Sequence, residues 1–430
     1  MVATTGGDAN QTLSLVQRDI NSVSPNRDTT QGLFGLPFHA NKKWRRFGAR
    51  DLALATLSAT KEDGTPRYPL TLQTNSLATR ILFDQTHGKR PEAIGIEYLH
   101  GQSLYNGDRR SSLNITGTVR QAHARKEVII SGGVFNSPQL LLLSGIGPKE
   151  DLAKLNIPVL VDLPGVGKRL QENQELPIVG HTKQPNIATP FPGDPDCTFG
   201  APGDPCVAAW QNGTGPYARS GINTNAFMLK SNHTPDGELD LLLFAIPFPF
   251  RGYWRADANV TIPPDPPTVF DLSMVHIKAQ NRAGELKLRS NNPRDTPDIN
   301  FHFFEEGSET DLGAMADAVA WGRRVYANVA APYGPVEPTE PPLVGNTGEQ
   351  VAADYQWIKD QAFGHHASGT CGIGADDDEL AVLDSMFRVR GVDGLRVVDG
   401  SAFPSPPGAF PVVPTYLISE KASRDILGST

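Results

Sequence analysis

The chain has 430 residues, 39% hydrophobic and 20% charged, enough for a sizeable core spread over two or three domains. Its net charge of -8 argues against nucleic acid, and the basic stretch Lys42-Lys43-Trp44-Arg45-Arg46 is short enough to read as a solvated turn. No run approaches the roughly 18–20 apolar residues of a membrane helix. Residues 1–25 are polar and hold no apolar signal-peptide core.

In chain order, residues through about 41 read as irregular chain around one helix. Alternating segments at 70–74, 78–83 and 92–98 predict strands, as do 115–119 and 127–131. The string Gly132-Gly133-Val134-Phe135-Asn136-Ser137-Pro138 comes next, before the apolar run 139–143. It predicts a strand, a glycine turn, an N-cap at Ser137 and Pro138 as first helical residue. A strand-like 157–162 leads into Gly165-Val166-Gly167-Lys168-Arg169-Leu170, whose third motif position is Leu, so a turn is expected there. Gly372-Ile373-Gly374 precedes Asp376-Asp377-Asp378, which would repel a pyrophosphate.

Residues 184–218, dense in Pro, Gly and Asp, read as a surface excursion. Strands are expected again at 239–245, 269–276 and 284–289. A helix is expected at 311–331 and a proline-rich connector at 332–342. Ile246-Pro247-Phe248-Pro249-Phe250 suits either a pocket wall or a buried strand end. Five N-x-[ST] sequons (Asn10, Asn114, Asn212, Asn232, Asn259) and a loop bracketed by Cys197 and Cys206 favour an extracellular setting. Strands and helices in this mixture suggest an α/β part interrupted by an antiparallel sheet.

Two constellations carry chemistry. Ser131-Gly132-Gly133-x-x-Asn136-Ser137-Pro138 fits an ordinary strand-to-helix turn, or a close backbone approach to a planar cofactor. Gly364-His365-His366-Ala367-Ser368-Gly369-Thr370-Cys371 offers three readings. Paired histidines suggest a metal, but adjacent side chains on a strand point to opposite faces and no ligand set completes the site, so none is expected. A Cys371–His366 nucleophilic pair lacks a third orienting group. A general base at neutral pH remains.

The first string, continued by Ser144-Gly145-Ile146-Gly147-Pro148 and Leu163-Pro164-Gly165-Val166-Gly167-x-x-Leu170-Gln171, resembles a signature of the glucose–methanol–choline (GMC) oxidoreductases. His366-x-x-Gly369-Thr370-Cys371, Leu395-Arg396-Val397-Val398-Asp399-Gly400-Ser401 and the closing segment from Pro414 resemble that family's C-terminal motifs. The resemblance implies an FAD-dependent oxidoreductase acting on the CH–OH groups of a small-molecule alcohol, with O2 or another acceptor and neither nucleic acid nor membrane as partner. It implies His366 as the catalytic base and flavin contacts at Ala78, Gly132, Gly133, Asn136, Asp399, Gly400, Phe410 and Pro411.

The fold it implies is α/β plus α+β. An incomplete Rossmann-like FAD-binding domain (1–175, with a return at 359–430) is interleaved with a substrate domain (176–358) built on an antiparallel sheet with flanking helices. Three departures stand out. The family's Gly-rich N-terminal FAD segment is not found, so a truncated C-terminal portion is expected. Glu172-Asn173 replaces the usual Asp-His. Phe410 occupies the usual second His/Asn position, where it can neither donate nor accept a hydrogen bond. That last departure keeps open a non-redox lyase or cyclase, and an inactive fragment or interaction protein.

Overall fold

The computed structural model describes residues 7–86, 90–185, 197–198, 201–218, 225–246, 248–253 and 265–428. Two apolar cores organise them. The first gathers Ile81, Leu141, Ile146, Leu152, Val166, Val382, Leu383, Phe387 and Val397, so it joins the early chain to its C-terminal end. The second gathers Leu176, Ile178, Leu243, Leu272, Met274, Met315, Trp321 and Tyr326 from the middle.

Around the first core, Ser76–Asp84, Glu92–His100 and Thr118–His123 form an antiparallel meander. Val128–Ile130 pairs in parallel with Leu395–Val397. The helix Gly133–Leu143 packs beneath, burying Ser137 to Leu142. It begins a turn earlier than expected, with Gly132 as N-cap and Pro138 inside it. A proline there cannot donate to the carbonyl four residues back, that of Val134. The Thr370 hydroxyl donates to that carbonyl instead, at 2.5 Å.

Over the second core lies a seven-stranded antiparallel sheet, in the order Gly32–Gly35, Asn225–Leu229, Leu241–Ile246, Val269–His276, Val179–His181 and Glu337–Glu340, with Gln174–Leu176 also on Val269–His276. The helix Ser308–Ala327 lies against it, and Thr347–Gln361 packs on that helix. Arg323 joins the two helices by donating to both carboxylate oxygens of Asp354, at 2.6 and 2.8 Å.

The expected strands at 78–83, 92–98, 127–131, 239–245, 269–276 and 284–289 are present within a few residues. The expected strand at 70–74 is absent. Leu70 and Leu72 are exposed with no strand beside them, and alternation without a partner does not hold a strand. That at 115–119 is displaced to Thr118–His123, and that at 157–162 shrinks to Val161–Asp162. Gly32–Gly35 and Glu337–Glu340 are strands in segments expected to be irregular; both lie at the edges of the large sheet. Much of 184–218 lies outside the described residues; within it, Pro205–Gln211 is a helix and Cys197 is disulfide-bonded to Cys206.

Candidate active site

Residues 171–175 read Gln-Glu-Asn-Gln-Glu, and all five are buried. Burial without partners would be costly, so where each polar group goes decides what the segment does. Gln171 and Ser368 exchange backbone hydrogen bonds at 3.0 and 2.9 Å, and Glu175 and Phe363 do so at 2.8 and 3.1 Å. Residues 171–175 therefore run antiparallel to 363–368. Between those two bridges three residues (172–174) face four (364–367), so the second strand bulges. A bulge re-aims side chains that a regular strand would send to opposite faces.

This corrects the expectation that His365 and His366 diverge. Their ring centroids are 4.0 Å apart, and both reach one carboxylate oxygen. Glu175 Oε1 is 2.8 Å from His366 Nδ1 and 3.2 Å from His365 Nδ1. The His366 backbone N–H donates to Glu172, whose carboxylate also accepts from Asn173 N at 3.1 Å. Gly364 belongs to the same joint: a Cβ there would fall 2.0 Å from Glu172 Cγ. Asn173 Nδ2 donates to the carbonyls of Gly408 and Ala409 at 2.7 and 2.6 Å, fixing the loop that carries Phe410. The replacement of Asp-His by Glu172-Asn173 thus has a visible consequence. One residue holds the histidine's backbone and the other holds the loop facing it.

Burial dominates the electrostatics. It raises the Glu172 carboxyl to about 8, partly offset by the bond from His366 N. It also raises Glu175, which the contact with His366 draws back down. His365 is pushed down to about 4 by burial and by His366 beside it, so at neutral pH it is uncharged. Phe410 packs edge-on to His366 at 5.1 Å, and Phe250 and Tyr253 pack edge-on to His365 at 5.8 and 5.2 Å. Cys371 is fully buried and its thiol is pushed up by burial, which removes it as a nucleophile partnered with His366.

The expected flavin contacts fall into two groups. Gly132-Gly133 and Asp399-Gly400 follow the carboxyl ends of the two parallel strands, where open α/β sheets bind ligands. Gly133 has φ +84°, and nothing lies within 4 Å of where its Cβ would be. Ala78, Gly132 and Asn136 line a cavity of about 260 Å3 with Ser76, Leu77 and Gln139. It is smaller than the roughly 300–1,000 Å3 of a whole ligand pocket, so it suits one end of a dinucleotide.

Asp399 instead spends both carboxylate oxygens on its own chain. Oδ2 accepts from Gly133 N at 3.0 Å and Ser137 Oγ at 2.5 Å, and Oδ1 accepts from Ser401 N and Oγ. It braces the glycine turn. Ser137, expected as an N-cap, serves this brace. A Cβ on Gly400 would lie 3.2 Å from Val134 and 3.9 Å from the Ala367 carbonyl, so the glycine turn and His366 sit close together. Pro411 is the N-cap of the helix Val412–Leu427.

Sequence reasoning singled out Glu172 and Asn173 without a role and offered Phe250 as part of a pocket wall, which its packing on His365 bears out; it missed Glu175, Tyr253 and Phe363. The polar run 171–175, lying directly before the apolar Leu176-Pro177-Ile178-Val179, is the one signal that could have found Glu175.

Comparison with known proteins gives the family. Two GMC oxidoreductase family profiles match, the N-terminal one at residues 34–175 and the C-terminal one at 279–419. The N-terminal match lends no support to the expectation that the family's N-terminal part is missing. Human mitochondrial choline dehydrogenase is 31% identical over 412 residues, covering 92% of this chain and 59% of that protein. The oxygen-dependent choline dehydrogenase of Yersinia pseudotuberculosis is 32% identical over 370 residues, covering 85% and 58%.

The chain therefore spans about three-fifths of the curated relatives it matches. A formate oxidase structure superposes with a TM-score of 0.74 at 19% identity, over 99% of this chain and 70% of the other. A fungal aryl-alcohol oxidase does so with a TM-score of 0.68 at 19% identity, over 97% and 70%. These solved structures share this chain's fold. By both its family matches and its fold, the chain belongs to the GMC oxidoreductases.

Proposed function

We propose that this chain performs FAD-dependent oxidation of a small alcohol, with His366 as general base. The observation that carries the reading is the bulged segment that aims His366 at a buried carboxylate, beside the glycine turns at the ends of the parallel strands. When bound, FAD supplies the hydride acceptor. Residues placed to hold it are Ala78, Gly132 and Asn136 at the cavity, with Gly133 and Gly400 giving open backbone and Asp399 bracing the turn.

His366 takes the hydroxyl proton. Its Nδ1 faces Glu175, so the other ring nitrogen is the one turned away to take the proton, and the nearby carboxylate steadies the imidazolium that forms. The rings of Phe410 and Phe250 limit water around the paired imidazoles. The relatives named as choline dehydrogenases make amino alcohols the first substrates to try. O2 or another acceptor would complete turnover. We place the substrate domain at 176–358, flanked by flavin-binding parts at 1–175 and 359–430. The Cys197–Cys206 disulfide supports an oxidising compartment, which an electrophoretic shift on deglycosylation of the native protein would check.

Phe410 favours one second reading, non-redox chemistry on the same fold, because it gives a substrate oxygen no polar partner. Turnover without any electron acceptor would select it. The primary reading is tested by incubating the chain with FAD, desalting it and recording its spectrum and melting temperature. Retained flavin bands with a raised melting temperature are expected, since a ligand bound to the native state must stabilise it. A colourless protein with an unmoved melting temperature would overturn it.

A further inference from the structure

Among the described residues, five buried side-chain atoms without a hydrogen-bond partner cluster around the bulge: Glu172 Oε2, Asn173 Oδ1, Glu175 Oε1, His366 Nδ1 and Ser368 Oγ. Glu175 Oε1 and His366 Nδ1 lie 2.8 Å apart without hydrogen-bond geometry, so closeness there is not yet a bond. Ser368 Oγ and the protonated Glu172 can donate as well as accept, but Glu175 Oε1 and His366 Nδ1 face each other with no partner of their own, the arrangement a bound cation would satisfy. Glu175 and His366 are 2% and 8% exposed, which leaves little room for solvent to make up the deficit.

The geometry points to a binding site for a divalent transition-metal cation such as Zn2+, with Glu175 Oε1, His365 Nδ1 and His366 Nδ1 as its protein ligands. These three atoms all lie within 4.8 Å of one another. Two imidazole nitrogens and one carboxylate form a ligand set that zinc accepts with a fourth position open to water. Tetrahedral bonds of about 2.0–2.1 Å put neighbouring ligand atoms roughly 3.3 Å apart. The His365–Glu175 pair already stands at 3.2 Å. The His366 pair at 2.8 Å must open by about half an ångström, within reach of a small ring rotation. Nitrogen ligands select against Mg2+ and Ca2+, which prefer oxygen throughout. His365, with 31% of its side-chain surface exposed, gives the cation a way in.

Occupation would take the nitrogen that Glu175 now faces and lock the His366 ring, making the site inhibitory. That consequence rests on the proposed role of His366 as base; the binding itself does not.

Calorimetric titration of the full chain at pH 7 with ZnCl2, and separately with MgCl2, tests it, alongside His365→Ala and Glu175→Gln. One Zn2+ per chain is expected, no saturable Mg2+ binding, and at least tenfold weaker Zn2+ binding in either variant whose melting curve shows it folded. If Glu175→Gln does not fold, His365→Ala, at a partly exposed position, decides alone. No saturable zinc binding, or wild-type affinity in the folded variants, would overturn the assignment. The measurement reads no turnover, so a failed alcohol assay and a failed zinc site remain separate results.

Discussion

At the scale of single residues, the site depends on titratable groups kept where water is scarce. Glu172 stays protonated at neutral pH because burial raises its carboxyl from 4.5 to about 8. The unfolded chain ionises near 4.5, so between pH 4.5 and 8 the folded state binds the extra proton. Stability must then fall as pH rises through that window, each unit of separation being worth about 1.4 kcal/mol. Glu172→Gln keeps the shape without the proton equilibrium. Denaturant melts from pH 4.5 to 8.5 should show a shallower decline in the variant, and a stability near pH 8 at or above wild type. Parallel curves would mean the burial of Glu172 is not felt. His366 was legible in the sequence because Gly369-Thr370-Cys371 follows it at family spacing. Glu175 was not, because nothing local marks a carboxylate as the partner of a histidine almost 200 residues on.

Individual elements show where pattern reasoning holds and where it stops. The strands at 78–83, 92–98 and 269–276 were readable from their apolar pattern, and the structure has them at Ser76–Asp84, Glu92–His100 and Val269–His276. The helix Gly133–Leu143 was readable in kind but not in its start. Proline inside a helix is normally excluded, and the exception here depends on a hydroxyl from Thr370, more than 200 residues away. Thr370→Val, nearly isosteric, should leave the Val134 carbonyl unpartnered and cost about 1–3 kcal/mol in denaturant unfolding. Wild-type stability would show that solvent satisfies that carbonyl. The bulge at 364–367 was illegible for the same reason. It exists only once 171–175 lies beside it, and regular alternation gave the wrong answer for the paired histidines.

Across the whole molecule, the first core joins residues from 81–166 with those from 371–422, and the second is drawn mostly from 176–358, with Leu33 added from near the start and Leu286 lent to the first core from the middle. That arrangement brings Gly132-Gly133, Asp399-Gly400 and His366 together from distant stretches of sequence, which single motifs could suggest but not place. The surface carries a related feature. The helices Ala49–Ser58 and Val412–Leu427 meet where Ala49 N donates to the Tyr416 hydroxyl at 3.3 Å. They leave Leu52 (64% exposed) and Leu417 (71% exposed) open, with Phe47, Val412 and Val413 half-exposed nearby. Large apolar side chains exposed on two helices that touch favour association. Light scattering over a concentration series should show the chain self-associating, less so for Leu52→Gln/Leu417→Gln; a strictly monomeric wild type would contradict this.

On the proposed reading, His366 is the base of an FAD-dependent alcohol oxidation. The most direct measurement is anaerobic mixing of the FAD-loaded chain with choline and a panel of primary alcohols, following flavin bleaching in wild type and His366→Ala. Bleaching by at least one alcohol is expected in wild type, slowed about 10²–10⁴-fold in a variant that retains its flavin. Bleaching at the wild-type rate in His366→Ala would contradict it.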